Sequence, residues 1–320
     1  MRTQNLLVAV LALPLALHAA DIQHEFACGD YSGGKVFLVG KDGKVTWEYK
    51  TGSCNDLWVL PNGNLLFNTG RGVQEVTRDK KVVFDYVGSP MKHAVKQKDG
   101  TMKETTSPSE VYACQRLANG NTFVGECNSG RLLEIAPDAK TIVKETRILP
   151  EGKNGGHAYL RNARLLPNGN FLCCLYGDQL VNEYDPTGKL VRSIKAPGGP
   201  HSAARLANGN TLIALGDKVK TKDGIETGLI EVDKNDKIVW QVGNNDLPGR
   251  PLMFMTGFHR LANGNTVLSN WQGHGKLDRA PQLIEVTADK KIVWTYANFA
   301  EMKTVSSILI LDEPPGNPIH

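Results

Sequence analysis

Short apolar runs along this chain come in pairs, and each pair flanks the tripeptide Asn-Gly-Asn. Three of the pairs contain the same heptapeptide, "RLANGNT", at residues 116–122, 205–211 and 260–266. Asn-Gly between two apolar runs is a strong hairpin signal, because both central residues of the turn need a positive φ that Asn and Gly tolerate. The tripeptide therefore predicts five hairpins, which turn at Asn62, Asn119, Asn168, Asn208 and Asn263.

A second pair of short runs follows each hairpin. Examples are "QEVTRDKKVVFDY", "LIEVDKNDKIVWQV" and "LIEVTADKKIVWTY", each built around its own turn. The pattern predicts four short strands in a unit of about 40 to 57 residues, with no helical periodicity between the strands. Repeats of this length and strand number are typical of a β-propeller, in which neighbouring blades bury faces that a single blade would leave exposed.

Both ends of the chain contribute to a sixth unit. The segments "HEFACGD", "KVFLVGKDG" and "KVTWEYKTG" precede the first hairpin and lack an innermost strand. Residues 306–317, "SSILILDEPPGN", resemble the first hairpin strand and would supply it. Pairing the two ends removes exposed sheet edges. We therefore predict an all-β fold: a six-bladed β-propeller of four-stranded antiparallel blades, with the ring closed by N- and C-terminal strands that share one blade.

Three residue types recur at fixed positions in these units: arginine on the first strand, glutamate on the third and a large ring on the fourth. They are Arg116, Arg205 and Arg260, with Arg164 one place off; Glu75, Glu134, Glu183, Glu231 and Glu285; and Trp47, Phe84, Trp240 and Trp294. A half-buried Arg–Glu pair repeated per blade explains the first two series better than an anion site does. The rings are expected to pack between blades.

The first twenty residues have the layout of a secretory signal peptide: Arg2, the apolar run "LLVAVLALPLAL", then Ala19 and Ala20. We expect residues 1–20 to be removed and residues 21–320 to form a single propeller domain in the periplasm or outside the cell. The apolar run is shorter than the roughly twenty residues that span a bilayer, so no stable membrane insertion is expected.

The formal net charge is only +4, and no basic stripe is interleaved with aromatic residues, so we expect no nucleic-acid partner. The six cysteines show no zinc spacing, and we predict no metal site. Cys114 and Cys127 flank one tight turn and are the first candidate disulfide in an exported chain. Buried free thiols are the alternative, and the sequence leaves both open.

Two families resemble this chain over most of residues 24–317. The segment "KDGKVTW", and more loosely "KNDKIVW" and "ADKKIVW", resembles the tryptophan docking motif of quinoprotein propellers. That resemblance implies pyrroloquinoline quinone with calcium, often beneath a vicinal disulfide such as Cys173–Cys174 would form. We do not expect this cofactor, because the count is six blades rather than eight, and adjacent side chains of a strand point to opposite faces.

The phrases "LPNGN" and "LANGNT" resemble blades of the arylsulfotransferase-like propellers. That family is six-bladed and moves a sulfuryl group from an aryl sulfate to a phenol through a histidine at the channel mouth. In "GGPHSAARLANGNT", His201 matches the second histidine of the family's motif, and in "CNDLWVLPNGN", Asp56 matches its acidic position. The resemblance implies a catalytic histidine at His201. In the enzyme hypothesis, His201 is a nucleophile or general base, oriented by Asp56 or Glu110, and Arg161 counters anionic charge.

In a propeller, the loops that lead into the first strands and those between the second and third strands gather on one face. Ligand sites favour such a convergent depression. The stretch "SNWQGHGK" is the least repetitive of these loops and offers an aromatic ring, an amide and an imidazole to a small polar ligand. Candidate ligand-binding residues on this face are Asn55, His157, Arg161, Trp271, Gln272 and His274, beside the candidate catalytic residues His201, Asp56 and Glu110.

Residues 87–112 form a long polar segment that is interpreted as a lid, a partner-binding arm or a disordered insertion. Its lysines would draw an anionic ligand towards the channel mouth. The leading hypothesis for function is an exported binding or scaffold propeller that recognises a small polar or anionic molecule, or a protein, on its loop-rich face. One alternative is an arylsulfotransferase-like, hydrolase or lyase enzyme that uses the channel-mouth histidine, and another is a redox protein that binds the quinone.

Overall fold

A computed structural model describes residues 22–216, 227–275, 277–314 and 319–320, and Lys96 by its backbone alone. The predicted signal peptide lies outside the described residues. Within them, 26 strands form six four-stranded sheets and one two-stranded hairpin, with a single short 3₁₀ turn at Asn244–Asp246. The prediction of a six-bladed, all-β propeller is confirmed.

Each blade is an antiparallel sheet, and in blades 1 to 5 the strands follow one another in chain order from the inside outwards. Blade 1 contains β4 (Leu57–Val59), β5 (Leu65–Asn68), β6 (Gly72–Val76) and β7 (Val82–Val87). Blade 2 contains β10 (Val111–Arg116), β11 (Thr122–Glu126), β12 (Arg131–Ile135) and β13 (Ile142–Arg147). Blade 3 contains β14 (Leu160–Leu165), β15 (Phe171–Leu175), β16 (Leu180–Tyr184) and β17 (Leu190–Lys195). Blade 4 contains β18 (Pro200–Arg205), β19 (Thr211–Leu215), β20 (Gly228–Val232) and β21 (Ile238–Gly243), and blade 5 contains β22 (Met255–Arg260), β23 (Thr266–Asn270), β24 (Leu283–Val286) and β25 (Ile292–Tyr296).

Blade 6 closes the ring as predicted. Its innermost strand is β26 (Val305–Ile310), which pairs with β1 (Phe26–Asp30), followed by β2 (Lys35–Val39) and β3 (Val45–Lys50). Beyond the backbone ladder, the buried Asp30 carboxylate accepts hydrogen bonds from the backbone N–H groups of Lys303 (2.7 Å) and Thr304 (2.8 Å). These bonds tie the two ends of the described chain together.

The repeated tripeptide has a second role besides turning the chain. Its glycines have φ near +85°, for example +86° at Gly120. In blade 4, Asn208 and Asn210 both donate from Nδ2 to Glu231 on the third strand of the same blade, at 3.3 and 2.7 Å. Corresponding glutamates bind the tripeptide in blades 1, 2, 3 and 5: Glu75, Glu134, Glu183 and Glu285. The repetition therefore preserves a turn that satisfies a largely buried carboxylate.

The predicted Arg–Glu pairs form between neighbouring blades rather than within a blade. Arg205 of blade 4 donates to Glu183 of blade 3 at 2.7 Å, and Arg260 of blade 5 donates to Glu231 of blade 4 at 3.2 Å. Arg116 of blade 2 binds Glu75 of blade 1 in the same way. Arg164 does not belong to this series, because in blade 3 the register position of these arginines is occupied by a leucine, Leu165.

The fourth-strand rings lie between blades, as predicted. Trp240 of blade 4 donates from Nε1 to the carbonyl of Ala288 in blade 5, at 2.8 Å, and Arg260 lies 5.3 Å from the centre of the Trp240 ring. Trp47 makes the equivalent bond from blade 6 to Arg78 of blade 1. Buried side chains of adjacent blades form joint hydrophobic clusters, so the core is distributed around the ring between blades.

All six cysteines are free and buried, so the candidate pair Cys114 and Cys127 is not a disulfide in this structure. Burial raises the pKa of the Cys127 thiol to about 12. Cys173 and Cys174 contribute to two different hydrophobic clusters, as expected for adjacent side chains that point to opposite faces of a strand.

Residues 87–112 are not an open loop: the segment begins at the last residue of β7 and ends in β10, and the residues between these strands lie outside the blades. They contain an exposed hairpin of β8 (Pro90–Lys96) and β9 (Met102–Pro108), which connects blade 1 to blade 2. Its base is held by Ser89, whose backbone N–H donates to the buried Glu126 carboxylate at 2.7 Å. The arm interpretation fits this hairpin better than the disordered insertion does.

Candidate functional site

The first strands of blades 2 to 6 each have one extra residue near their beginning. These bulges leave Tyr112, Arg161, His201, Thr256 and Ser306 without a partner in the register of the second strand. A bulge bends the strand and redirects the extra side chain. Arg161, His201 and Thr256 line one pocket, so three separate blades contribute to it through the same device.

This pocket, which we call the mouth pocket, has a volume of about 200 Å³. It is formed at the face where the loops leading into the first strands meet those between the second and third strands. Its lining residues are Tyr31, Asn55, His157, Ala158, Arg161, Tyr176, His201, Phe254, Thr256, Trp271 and His274. Six of the nine site residues predicted from the sequence are among them.

Aromatic rings form one side of the mouth pocket. Phe254 makes an edge contact with Trp271 (5.2 Å between ring centres) and a stacked contact with Tyr176 (6.2 Å). His274 packs edge-on against Trp271 at 4.9 Å, and Tyr31 does so from blade 6 at 6.2 Å. Because aromatic rings attract one another in such offset and edge geometries, the wall is suited to a flat unsaturated ligand.

Arg161 supplies the positive charge of the mouth pocket. The side chain is only 7% exposed, and its guanidinium lies 4.1 Å from the centre of the Tyr112 ring. Its NH1 group donates to His157 Nε2 and its NH2 group donates to His201 Nε2, each at 3.1 Å. None of the carboxylates in the described residues forms an ion pair with it, so within that part of the chain this buried charge has no directly bonded counter-ion.

His201 is held as a neutral imidazole. Burial, together with the nearby charge of Arg161, moves its pKa well below the usual value, although a hydrogen bond to Thr256 opposes this. Nδ1 lies 3.1 Å from the Thr256 carbonyl oxygen and therefore carries the proton. Nε2 is then the acceptor for Arg161, so the lone pair needed by a nucleophile is already used by the guanidinium.

Glu110 orients His157 rather than His201. Its Oε2 lies 2.7 Å from His157 Nδ1, which therefore carries a proton, and 3.3 Å from the Tyr112 hydroxyl. Burial favours the neutral form of Glu110, but the interactions with His157, the hydrogen bond from Tyr112 and the charge of Arg71 together outweigh it, and the pKa of the carboxyl is lowered. A carboxylate and an imidazole in this arrangement are the parts of an acid–base pair.

Asp56 and Gln272 lie outside the mouth pocket. The Asp56 carboxylate accepts two hydrogen bonds from Arg164, both at 2.8 Å, and one from the backbone of Cys114, so it does not reach His201. Gln272 is fully buried and holds its own loop closed through the backbone of Arg279 and Ala280. Among the described residues, no group of three histidines, cysteines or carboxylates is arranged to hold a metal ion.

Sequence reasoning missed Tyr31, Tyr176 and Phe254. The first two had a signal: each directly follows the second strand of its blade, at the position that Trp271 occupies in blade 5. Aligning the blades on this position would have placed three aromatic residues around one opening. Phe254 had no such signal, because it comes from the irregular segment that leads into β22.

No protein-family model matches the chain, and no curated protein matches it. Among solved structures, it is similar to a protein of unknown function from Bacteroides caccae, with a TM-score of 0.73 and 26% identity over 93% of this chain and 99% of that one. It is also similar to a streptogramin B lyase, with a TM-score of 0.51 and 14% identity over 87% and 84% of the two chains.

A third similar structure is that of a nidogen/laminin complex, with a TM-score of 0.55 and 9% identity over 89% of this chain and 97% of that one. At 14% and 9% identity, the second and third likenesses show the fold and nothing about activity. In the part of the chain that the structure describes, no helix is long and apolar enough to cross a membrane. The function must therefore be argued from the mouth pocket itself.

Proposed function

We propose that this protein is an exported binding protein that holds a small molecule in the mouth pocket. The observation that carries the proposal is the convergence of aromatic and polar side chains from several blades on one cavity of about 200 Å³. Ligand sites are concave and largely apolar, with a few polar groups that fix orientation. An apolar wall, Asn55, Arg161 and three imidazoles meet that description.

The size of the mouth pocket argues for a small ligand. An apolar protein cavity of about 150 Å³ accommodates benzene, so about 200 Å³ suits a molecule with one substituted ring. A three-ring quinone is larger than this, and we do not propose one as a cofactor. A protein partner would instead use the exposed rim of the same face.

The experiment is a thermal-shift screen of residues 21–320 against phenols, aryl acids, aryl sulfates and sugars, followed by calorimetry on the compounds that bind. A ligand at 100 times its Kd adds about 2.7 kcal/mol to the folded state. For a chain of this length we expect the midpoint to rise by roughly 4 °C. Calorimetry would then give the Kd for each variant.

Replacing Trp271 by Leu should weaken binding at least tenfold, because it removes a ring that lines the mouth pocket. The matched control is Trp240→Leu, which also removes an indole but acts between two blades. This control should lower the thermal midpoint and leave the Kd unchanged. Equal loss of affinity in both variants, or no shift from any compound, would contradict the proposal.

Catalysis is the second candidate, and the Glu110–His157 hydrogen bond is the observation that favours it. In this arrangement the acid–base role falls to His157, because Glu110 binds its Nδ1 whereas the Nδ1 of His201 binds only a backbone carbonyl; both Nε2 atoms accept from Arg161. The test is turnover of aryl sulfate, ester and lactone probes by wild type and His157→Gln. Turnover that His157→Gln abolishes, with an unchanged Kd, supports an enzyme. Binding of a probe without turnover of any of them would support the binding function and contradict catalysis.

A further inference from the structure

We infer that the ligand of the mouth pocket is a single-ring aromatic carboxylate, whose carboxylate pairs with Arg161 and whose ring lies against the aromatic wall. This inference rests on the proposed binding function and names the class of ligand.

The charge inventory sets Arg161 apart. Three arginines in the described residues are less than 9% exposed. Arg164 pairs with Asp56 at 2.8 Å, and Arg131 pairs with Glu145 at 2.7 Å. Within the described ranges, Arg161 has two imidazole nitrogens and a carbonyl oxygen as acceptors, but no carboxylate. Burying a charge without a counter-charge is costly, so its retention indicates that the ligand supplies the anion.

Two residues that line the mouth pocket have donors without an acceptor among the described residues. Arginine has five N–H groups, and three of those on Arg161 have acceptors among the described residues. The two that remain match the number that a carboxylate accepts from a guanidinium in a bidentate pair. Asn55 also lines the mouth pocket, and its buried Nδ2 has no acceptor within the part of the chain that the structure describes.

The aromatic wall of the mouth pocket favours a flat ring in the ligand. The Phe254 ring lies 5.2 Å from Trp271 and 6.2 Å from Tyr176, measured between ring centres, so the wall offers both ring faces and ring edges. A flat ring gains offset and edge contacts there that a puckered ring does not. With one guanidinium available, a monoanion neutralises the site, whereas a phosphate ester near its second ionisation would bring excess negative charge.

The test measures binding of four probes by calorimetry: benzoate, neutral benzamide, non-planar cyclohexanecarboxylate and phenyl sulfate. Benzoate should bind at least tenfold more tightly than each of the other three. Equal affinity for benzamide would refute the role of charge, equal affinity for cyclohexanecarboxylate would refute the role of the flat wall, and tighter binding of phenyl sulfate would replace the carboxylate by a sulfate ester.

The variant Arg161→Gln should remove the preference for benzoate over benzamide. Arg161→Lys should restore part of it, since lysine keeps the charge but lacks the planar fork. The control is Arg250→Gln, which removes an exposed arginine outside the mouth pocket and should keep the preference. If Arg161→Gln fails to fold, the comparison of benzoate with benzamide on the wild type still tests whether the mouth pocket recognises a negative charge. Binding of neutral sugars that Trp271→Leu abolishes would keep the binding function and refute this inference alone.

Discussion

Replacing Glu231 by Ala tests the network that links neighbouring blades. The carboxylate accepts from Asn208 and Asn210 of its own blade and from Arg260 of the next blade, at 3.3, 2.7 and 3.2 Å. Hydrogen bonds to a charged group contribute about 1.5 to 3 kcal/mol each when buried, and breaking a fully buried ion pair costs about 3 to 5 kcal/mol. Arg260 is 18% exposed, so solvent offsets part of the loss. We expect a loss of about 3 kcal/mol in the free energy of unfolding.

The chain contains its own control for this substitution. Glu134 binds Asn119 and Asn121 in the same way, but the next blade offers it no arginine, and its cation, the exposed Lys144, lies 3.9 Å away. Glu134→Ala should therefore cost about 1.5 kcal/mol. Urea unfolding would measure the free energy of unfolding of both variants. In a thermal melt, the midpoints of Glu231→Ala and Glu134→Ala should fall by roughly 5 and 2 °C.

A double-mutant cycle completes the measurement. The coupling between Glu231→Ala and Arg260→Ala should be about 1.5 kcal/mol, because the cycle removes the separate contribution of Arg260 packing on Trp240. Equal losses for Glu231→Ala and Glu134→Ala, together with a coupling near zero, would refute the claim that the arginine joins the blades.

Three further predictions concern groups outside the mouth pocket. Burial lowers the pKa of His259 to about 4 from 6.5, while its Nδ1 accepts from the Ile310 N–H at 2.9 Å. As pH falls, the imidazole of His259 is protonated in the unfolded chain before it is protonated in the folded one. The free energy of unfolding should therefore fall between about pH 6.5 and 4, by up to about 1.4 kcal/mol per pH unit. His259→Asn should flatten this slope, and an unchanged slope would contradict the assignment. Trp240→Phe loses the hydrogen bond to Ala288 and should lower the free energy of unfolding in urea by about 1 kcal/mol. An unchanged free energy would contradict the claim that this indole joins two blades. A thiol reagent should label none of the six cysteines in the native protein and all six after unfolding; fewer in the unfolded chain would reveal a disulfide.

The fold was predictable because its signals are local and repeated. Each Asn-Gly-Asn turn is specified by residues within a few positions of it, and five copies gave the period of the ring. The pairing of β26 with β1 followed from the need to cover an edge. The partners of the arginines were not predictable in the same way, because a repeat pattern shows that Arg260 and Glu231 recur but does not show which blades they join.

The mouth pocket was predictable in part. His157, Arg161, His201 and Trp271 were identified because they interrupt the repeat in loops that must meet on one face. Asp56 shows the limit of that reasoning: it is adjacent to Asn55, but only Asn55 lines the mouth pocket, and the Asp56 carboxylate binds Arg164. Which of two neighbouring side chains faces a cavity depends on bulges that the sequence does not reveal.

The closure of the ring by blade 6 has a consequence for the order of synthesis. Asp30 and Thr304, which are hydrogen-bonded in that blade, are 274 residues apart along the chain. At a synthesis rate of about 5 to 20 residues per second, the N-terminal strand waits roughly 15 to 55 s for its partner. During that time β1 is an unpaired edge that can pair with other nascent chains. A chaperone that shields this edge would therefore act on the first-synthesised part of the protein until its last strand emerges.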